Sequence, residues 1–256
     1  MAQAKLSRED GHVTVDARDV YYRQLNETLR GLVQDGVGHI RLEHVFGQRY
    51  IGTNLARPVD IEIDGIPGND LGAFMDGPRI EVHGNAQDGT GNTMNSGRIV
   101  VHGNAGDITA MSMRGGAIFI RGDVGYRTAI HMKEYRDKVP LLVIGGTAQD
   151  FFGEYMAGGM VVLLGLDLAA GEFHRASFIG TGMHGGAIYI RGEVQDHQLG
   201  KEVGVQGVEG EDRRRLEEAV RSFAGHFDLD AAGILAGNFR KLYPKYLRPY
   251  GTHYAY

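Results

Sequence analysis

His83 and His102 stand nineteen residues apart, each closing the pattern aliphatic, x, aliphatic, His, Gly. Two imidazoles offered from equivalent positions could share a metal ion. The column they occupy runs Asp64, His83, His102, Arg121 and then turns aliphatic, so no third ligand is evident and a solvent-facing ladder is the simpler account. Gly180-Thr181-Gly182-Met183-His184-Gly185 has the letters of a dinucleotide fingerprint. That fingerprint needs a helix behind it, so that phosphate meets a helix N-terminus. Here a strand-like run, Ala187-Ile188-Tyr189-Ile190, follows instead, and the stretch reads as a chain corner. Asp70, Asp88, Asp107 and Asp150 do not recur in a calcium-binding register, which leaves turn capping. No serine lies in a Gly-x-Ser-x-Gly elbow. The chain has no cysteine, which excludes disulfides, thiolate metal sites, iron–sulfur ligation and cysteine nucleophiles within these 256 residues. No catalytic, cofactor-binding or metal residue is therefore assigned within the chain.

These residues are embedded in a repeat. Ile61-Glu62-Ile63-Asp64-Gly65 is followed by rows ending at Gly84, Gly103, Gly122, Gly145, Gly165 and Gly192, with steps of 19, 19, 19, 23, 20 and 27 residues. The first and third positions are aliphatic in every row. Alternate side chains of a strand face opposite ways, so these positions line an interior while the second and fourth face out. The terminal Gly of each row allows a positive φ or a close backbone approach. Met75, Met94, Met113, Met156 and Met183, each with a Gly two or three residues on (Gly77, Gly97, Gly115, Gly158 and Gly185), mark a second corner. A period near nineteen is that of a strand solenoid, whose stacked coils bury a row that one coil cannot. The expected architecture is mainly β, a right-handed single-stranded parallel β-helix of about seven coils, roughly 30 Å long.

Residues 58–195 make this solenoid. Residues 1–57 read as a small α/β cap over one end, with a strand at His12–Asp16, a helix capped by Asp19 and carrying Tyr21, Leu25, Leu29 and Leu32, and a strand through Ile40 and Leu42. Residues 196–256 read as a helical segment and a tail. Leu216, Ala219, Val220 and Phe223 form one stripe of a helix from Gly210, and a shorter helix follows from Asp228. The end of the chain is rich in Tyr and Arg and too aperiodic for an element of its own.

The outward positions change character along the rod. The second reads Glu62, Glu81, Val100, Phe119, Leu142, Val162, Tyr189, and the fourth turns apolar at Ile144 and Leu164. A strand apolar on both faces must be covered on both, by the chain's own C-terminal segment or by another protein. Phe119, Leu142, Ile144, Val162, Leu164 and Tyr189, with Arg240, Tyr243, Tyr246, Arg248 and Tyr250 of the tail, are accordingly the candidate interface. Self-association is open. A net charge of −5 with no basic block argues against nucleic acid, and no apolar run suggests a leader or a membrane span; a cytoplasmic location is expected.

At Gly68-Asn69-Asp70, Gly84-Asn85-Ala86, Gly103-Asn104-Ala105-Gly106-Asp107, Gly115-Gly116, Gly145-Gly146-Thr147-Ala148 and Gly158-Gly159-Met160-Val161-Val162 the chain resembles the C-terminal GXGXG β-helix domain of the glutamate synthase large subunit. Its flanks, Gly47-Gln48-Arg49-Tyr50-Ile51-Gly52 and the Arg-Pro-Tyr tail, resemble free-standing subunit forms. The resemblance implies a non-catalytic scaffold that holds glutaminase-type and FMN-binding subunits, with FMN and iron–sulfur clusters on those partners and none here. Related scaffolds serve N-methylglutamate synthase and, more distantly, formylmethanofuran dehydrogenase. A reading from another class is a polysaccharide-acting β-helix using carboxylates such as Glu62 and Glu81, disfavoured because the rest of their column is apolar.

Overall fold

The computed structural model describes residues 4–9, 12–169 and 171–246. Among the described residues twelve strands form one continuous sheet: β1 (Lys5–Glu9), β2 (His12–Asp16), β3 (His39–Phe46), β4 (Asp60–Ile66), β5 (Asp76–Val82), β6 (Ser96–Val101), β7 (Ala117–Ile120), β8 (Leu141–Ile144), β9 (Ala157–Leu163), β10 (Gly185–Arg191), β11 (Val203–Gln206) and β12 (Phe239–Pro244). Strands β2 to β10 follow one another in chain order and pair in parallel, so each returns beside its predecessor after one circuit of a solenoid. The seven rows of the repeat are β4 to β10, which makes six complete turns between the first and the last.

Two inward columns run the length of the rod. One is Val13, Ile40, Ile61, Ile80, Ile99, Ile118, Leu142, Val161, Ile188, and the other is Val15, Leu42, Ile63, Val82, Val101, Ile120, Ile144, Leu163, Ile190. All of them are buried in one core, joined by Met75, Met94, Met113, Met156 and Met183 from the second corner and by Met132 from a row where the motif is less regular. Each such aliphatic side chain removed from water contributes about 1.5–3 kcal/mol before entropy is counted.

This register corrects the fifth row by one residue. Leu142 and Ile144 pair with Ile118 and Ile120 and face the interior, while Val143 pairs with Phe119 and faces out. Leu142 and Ile144 therefore belong to the inner core rather than to the outer candidate interface. The coil-turn glycine shifts in step: Gly146, not Gly145, continues the ladder, its N–H donating to Gly122 O at 2.9 Å and its carbonyl accepting from Gly165 N at 3.0 Å. The insertion between β7 and β8 absorbs the extra residues. A row aliphatic at four successive positions carries no alternation from which its frame could be read.

The repeated glycine answers to close approach. At Gly103, Gly122 and Gly146 a Cβ would stand 2.2, 2.0 and 2.2 Å from the side-chain oxygens of Asn85, Asn104 and Asp123 on the preceding coil. Those oxygens accept hydrogen bonds from the backbone N–H groups of Asn104, Asp123 and Thr147 at 2.8, 2.8 and 2.6 Å. Asp88, Asp107 and Asp150 likewise accept from the N–H groups of Asp107, Tyr126 and Ser177 on the next coil. The aspartates are thus structural caps that tie coil to coil, which a calcium role would not require.

The segments flanking the repeat join the same sheet. Strands β2 and β3 are further rungs rather than a separate cap, and β1 adds antiparallel to β2. Helix α1 (Tyr22–Gln34) contributes Leu25, Leu29, Leu32 and Val33 to the inner core. Its N-cap position is Tyr21, without a side-chain cap; Asp19 precedes it in a left-handed conformation (φ 58°). At the other end Phe239–Pro244, which shows no periodicity, is β12. It pairs antiparallel with β10, places Leu242 opposite Ile188 in the interior, and carries β11 on its far side.

Helix α2 (Gly210–Phe227) lies over the outer face of the sheet. Leu216, Ala219, Val220, Phe223 and Ala224 are its buried residues, and the first four pack in a second core with Val100, Phe119, Val143, Val162, Leu164 and Tyr189. Helix α3 (Ala231–Leu235), capped by Asp230 accepting from Ala232 N, adds Ile234 and Leu235. The apolar outer face is therefore covered by the chain itself. The Tyr189 hydroxyl donates to Asp212 at 2.6 Å, and Lys241 Nζ donates to the same carboxylate at 2.7 Å, locking the first turn of α2 to β10 and β12. Burial, and then the Asp212 carboxylate, push the Tyr189 phenol well above its ordinary value of 10.0, so it stays a donor. Burial raises the pKa of Asp212, but the hydrogen bonds from Lys241 and Tyr189 outweigh it and hold the carboxyl below its ordinary 3.8.

Candidate functional site

The cover stops near β6, and the outer face of the earlier strands is open and polar. Parallel register stacks His12, His39, Asp60, Arg79 and Arg98 in one outward column, and Thr14, Arg41, Glu62 and Glu81 in the next. Arg41 reaches Asp64 at 2.7 Å and Glu62 at 3.8 Å, His39 lies 3.6 Å from Glu62, and Arg79 lies 3.7 Å from Asp60. His44 Nδ1 is 3.0 Å from Asp16 while its Nε2 faces Arg18 at 2.7 Å, which fixes the proton on Nδ1 in the neutral ring. The N–H of Arg18, and the His44 ring against the opposing effect of burial, hold Asp16 below its ordinary value. His39, Asp60, Glu62, Arg79, Glu81 and Arg98 bound a cleft of about 200 Å³ on this face.

At the boundary between the open and covered halves stand His83 and His102. They continue the ladder just past β5 and β6, with ring centroids 5.2 Å apart. The structure adds a third group that the column reading missed. Glu81 lies on β5 two residues before His83, which continues the extended ladder, so the two share a face; the Glu81 carboxylate lies 2.8 Å from His102 Nε2. One ligand atom from each of Glu81, His83 and His102 lies within 4.8 Å of the others, the one such group among the described residues. The signal was present as Glu81-x-His83, but it runs along the strand rather than down the ladder. Phe227, at the end of α2, sets its ring edge-on to His102 at 5.2 Å.

A second surface lies at the N-terminal end. Arg18, Tyr21, Tyr22, Phe46, Gln48 and Arg49 line a groove of about 840 Å³. The Phe46 side chain is 86% exposed, and the Arg49 guanidinium sits 5.0 Å over the Tyr22 ring and 5.9 Å from Tyr50. Buried Gln48 holds the groove floor, accepting from Phe46 N at 2.6 Å and donating to Ala17 O at 2.8 Å. Exposed aromatics continue along one corner of the rod, where Phe151 stacks on Phe178 at 4.9 Å, Arg127 covers Phe151 at 4.8 Å, and His131 stacks on Tyr155 at 5.4 Å.

The residues expected at an interface separate into several environments. Phe119, Val162, Leu164 and Tyr189 lie beneath α2 and α3. Arg240 on β12 pairs at 3.1 Å with Glu193, just past the end of β10, and the Tyr243 ring packs over Gly204. Tyr246 is 73% exposed. Arg248 and Tyr250 lie outside the described residues. The Gly180–Gly185 stretch is a corner that leads directly into β10. Among the described residues no helix is long and apolar enough to cross a membrane.

The model of the GXGXG motif family matches residues 32–250. An uncharacterized protein of Methanocaldococcus jannaschii is 47% identical over 250 residues, spanning 94% of this chain and 96% of that one. Among solved structures, one chain of the formyltransferase/hydrolase complex from Methylorubrum extorquens, crystallised with methylofuran, superposes with a TM-score of 0.60 and 18% identity over 93% of each chain. At that identity the likeness is one of fold.

Proposed function

The chain belongs to the GXGXG family, and from that premise we propose that it is a scaffold subunit of a multi-subunit, glutamate synthase-type enzyme of the cytoplasm. Its role is to hold glutaminase-type and FMN- and iron–sulfur-bearing subunits at fixed spacing, with the chemistry on those partners. The observation that carries this reading is the N-terminal groove. Phe46, Tyr21, Tyr22 and Arg49 have the composition of an interface centre, where aromatic and arginine side chains concentrate. The interior supports it too, since unbroken columns of buried aliphatics and coil-to-coil caps make a stiff body suited to fixing distances.

A second reading rests on the fold neighbour: the same kind of brace in a formyl-transferring or formyl-hydrolysing complex. Fold alone does not choose between them. Purification of the tagged chain from its own cells decides. Glutaminase-like and flavin-bearing partners support the first reading; formyl-transferring or pterin-bearing partners support the second. Recovery of the chain alone, or retention of every partner by Phe46→Asp, counts against the groove as the docking surface.

A further inference from the structure

We propose that Glu81, His83 and His102 form a zinc-binding site on the outer face of the solenoid, at the edge of the surface that α2 leaves open. The geometry is the one a sheet gives most directly. Glu81 near the end of β5, His83 two residues on and His102 at the facing position of the next coil present three side chains at the corners of a small triangle. Their ligand atoms lie within 4.8 Å of one another. Tetrahedral zinc with bonds of about 2.0–2.2 Å needs them roughly 3.4 Å apart, so the side chains close on the ion by rotating.

Two neutral imidazoles and one carboxylate are nitrogen and oxygen donors of the borderline kind that zinc favours over magnesium or calcium. The backbone beneath them is held, because His83 N donates to Ile63 O at 2.9 Å and His102 N to Val82 O at 3.0 Å. The ring of Phe227 restrains His102 from the covered side. Arg98 lies beside Glu81 in the adjoining cleft, Arg121 stands one rung beyond His102 with Asp167 at 3.7 Å, and these are cations the metal must tolerate. Three ligands leave the fourth position to water or to a side chain of a docked partner.

The test is a titration of the metal-free full chain with cobalt(II), followed by visible absorption, and then displacement by zinc. The expected result is saturation at one cobalt per chain, with the intense bands of four-coordinate metal. His83→Ala and His102→Ala abolish it, and Glu81→Gln weakens it at least about tenfold. His39→Ala, on the same open face, leaves it unchanged. Circular dichroism confirms that each variant is folded, as expected for substitutions at surface side chains. Weak six-coordinate bands, a titration indifferent to the three variants, or equal loss in His39→Ala would overturn the site. None of these outcomes depends on which partners the scaffold holds.

Discussion

The two halves of the outer sheet face share one backbone and one register yet meet opposite fates. Inward, Ile61 and Ile188 are equivalent and equally buried. Outward, the same column is Arg41, Glu62 and Glu81 on one half and Phe119, Val143, Val162 and Tyr189 on the other. The apolar half recruits its own helix α2, and the polar half keeps a network of exposed ion pairs. The inner columns run unbroken through both halves, while the outer residues choose what lies on the rod. A charged outer column leaves the rod available to other molecules.

The sharpest way to break this contrast is Phe223→Ala. Phe223 is fully buried between helix and sheet, so its truncation should cost about 3–5 kcal/mol in urea unfolding, whereas Glu62→Gln on the open half should change stability by less than about 0.5 kcal/mol. Gly122→Ala tests the inner frame instead. Its Cβ would meet Asn104 Oδ1 at 2.0 Å, and the displaced cap should destabilise the rod by about 1–3 kcal/mol.

Tyr189→Phe removes one hydrogen bond to α2 and should cost about 1 kcal/mol, read in the same denaturation series. The acid limb of stability is linked to the same contact. Because the folded-state pKa of Asp212 is depressed, its contribution is complete above about pH 4 and is lost as pH falls through the folded value. Asp212→Asn should therefore flatten the stability profile in that window. The smallest effect is a gain. Gly225 lies inside α2 with open space where a Cβ would go, so Gly225→Ala should stabilise the covered half by about 0.5–1 kcal/mol.

The inner columns were legible because alternation survives wherever one face stays polar, as in Ile61-Glu62-Ile63 and Ile80-Glu81-Val82. The frame was lost at Leu141-Leu142-Val143-Ile144, where both faces are covered and every position is aliphatic. The stripe of α2 was plain from its spacing, including the side that docks. Strand β12 was not, because Arg240 and Lys241 spend their charge on Glu193 and Asp212, pairings that no local pattern announces. The rungs β2 and β3 were seen as strands but not as members of the ladder, since α1 interrupts the period between them. The three-residue cluster at the boundary needed the sheet itself, which sets Glu81 diagonally against His102.

Hydrogen exchange on the isolated full-length chain tests most directly whether the apolar half is sealed by its own helix. The account predicts that amides within Leu216–Phe227 of α2 exchange in step with those of β8 to β10, and that Phe223→Ala releases the helix while β4 to β6 stay protected. Rapid exchange of α2 over an intact, protected solenoid would contradict it, because the cover over Phe119, Val162 and Tyr189 would then have to come from another molecule.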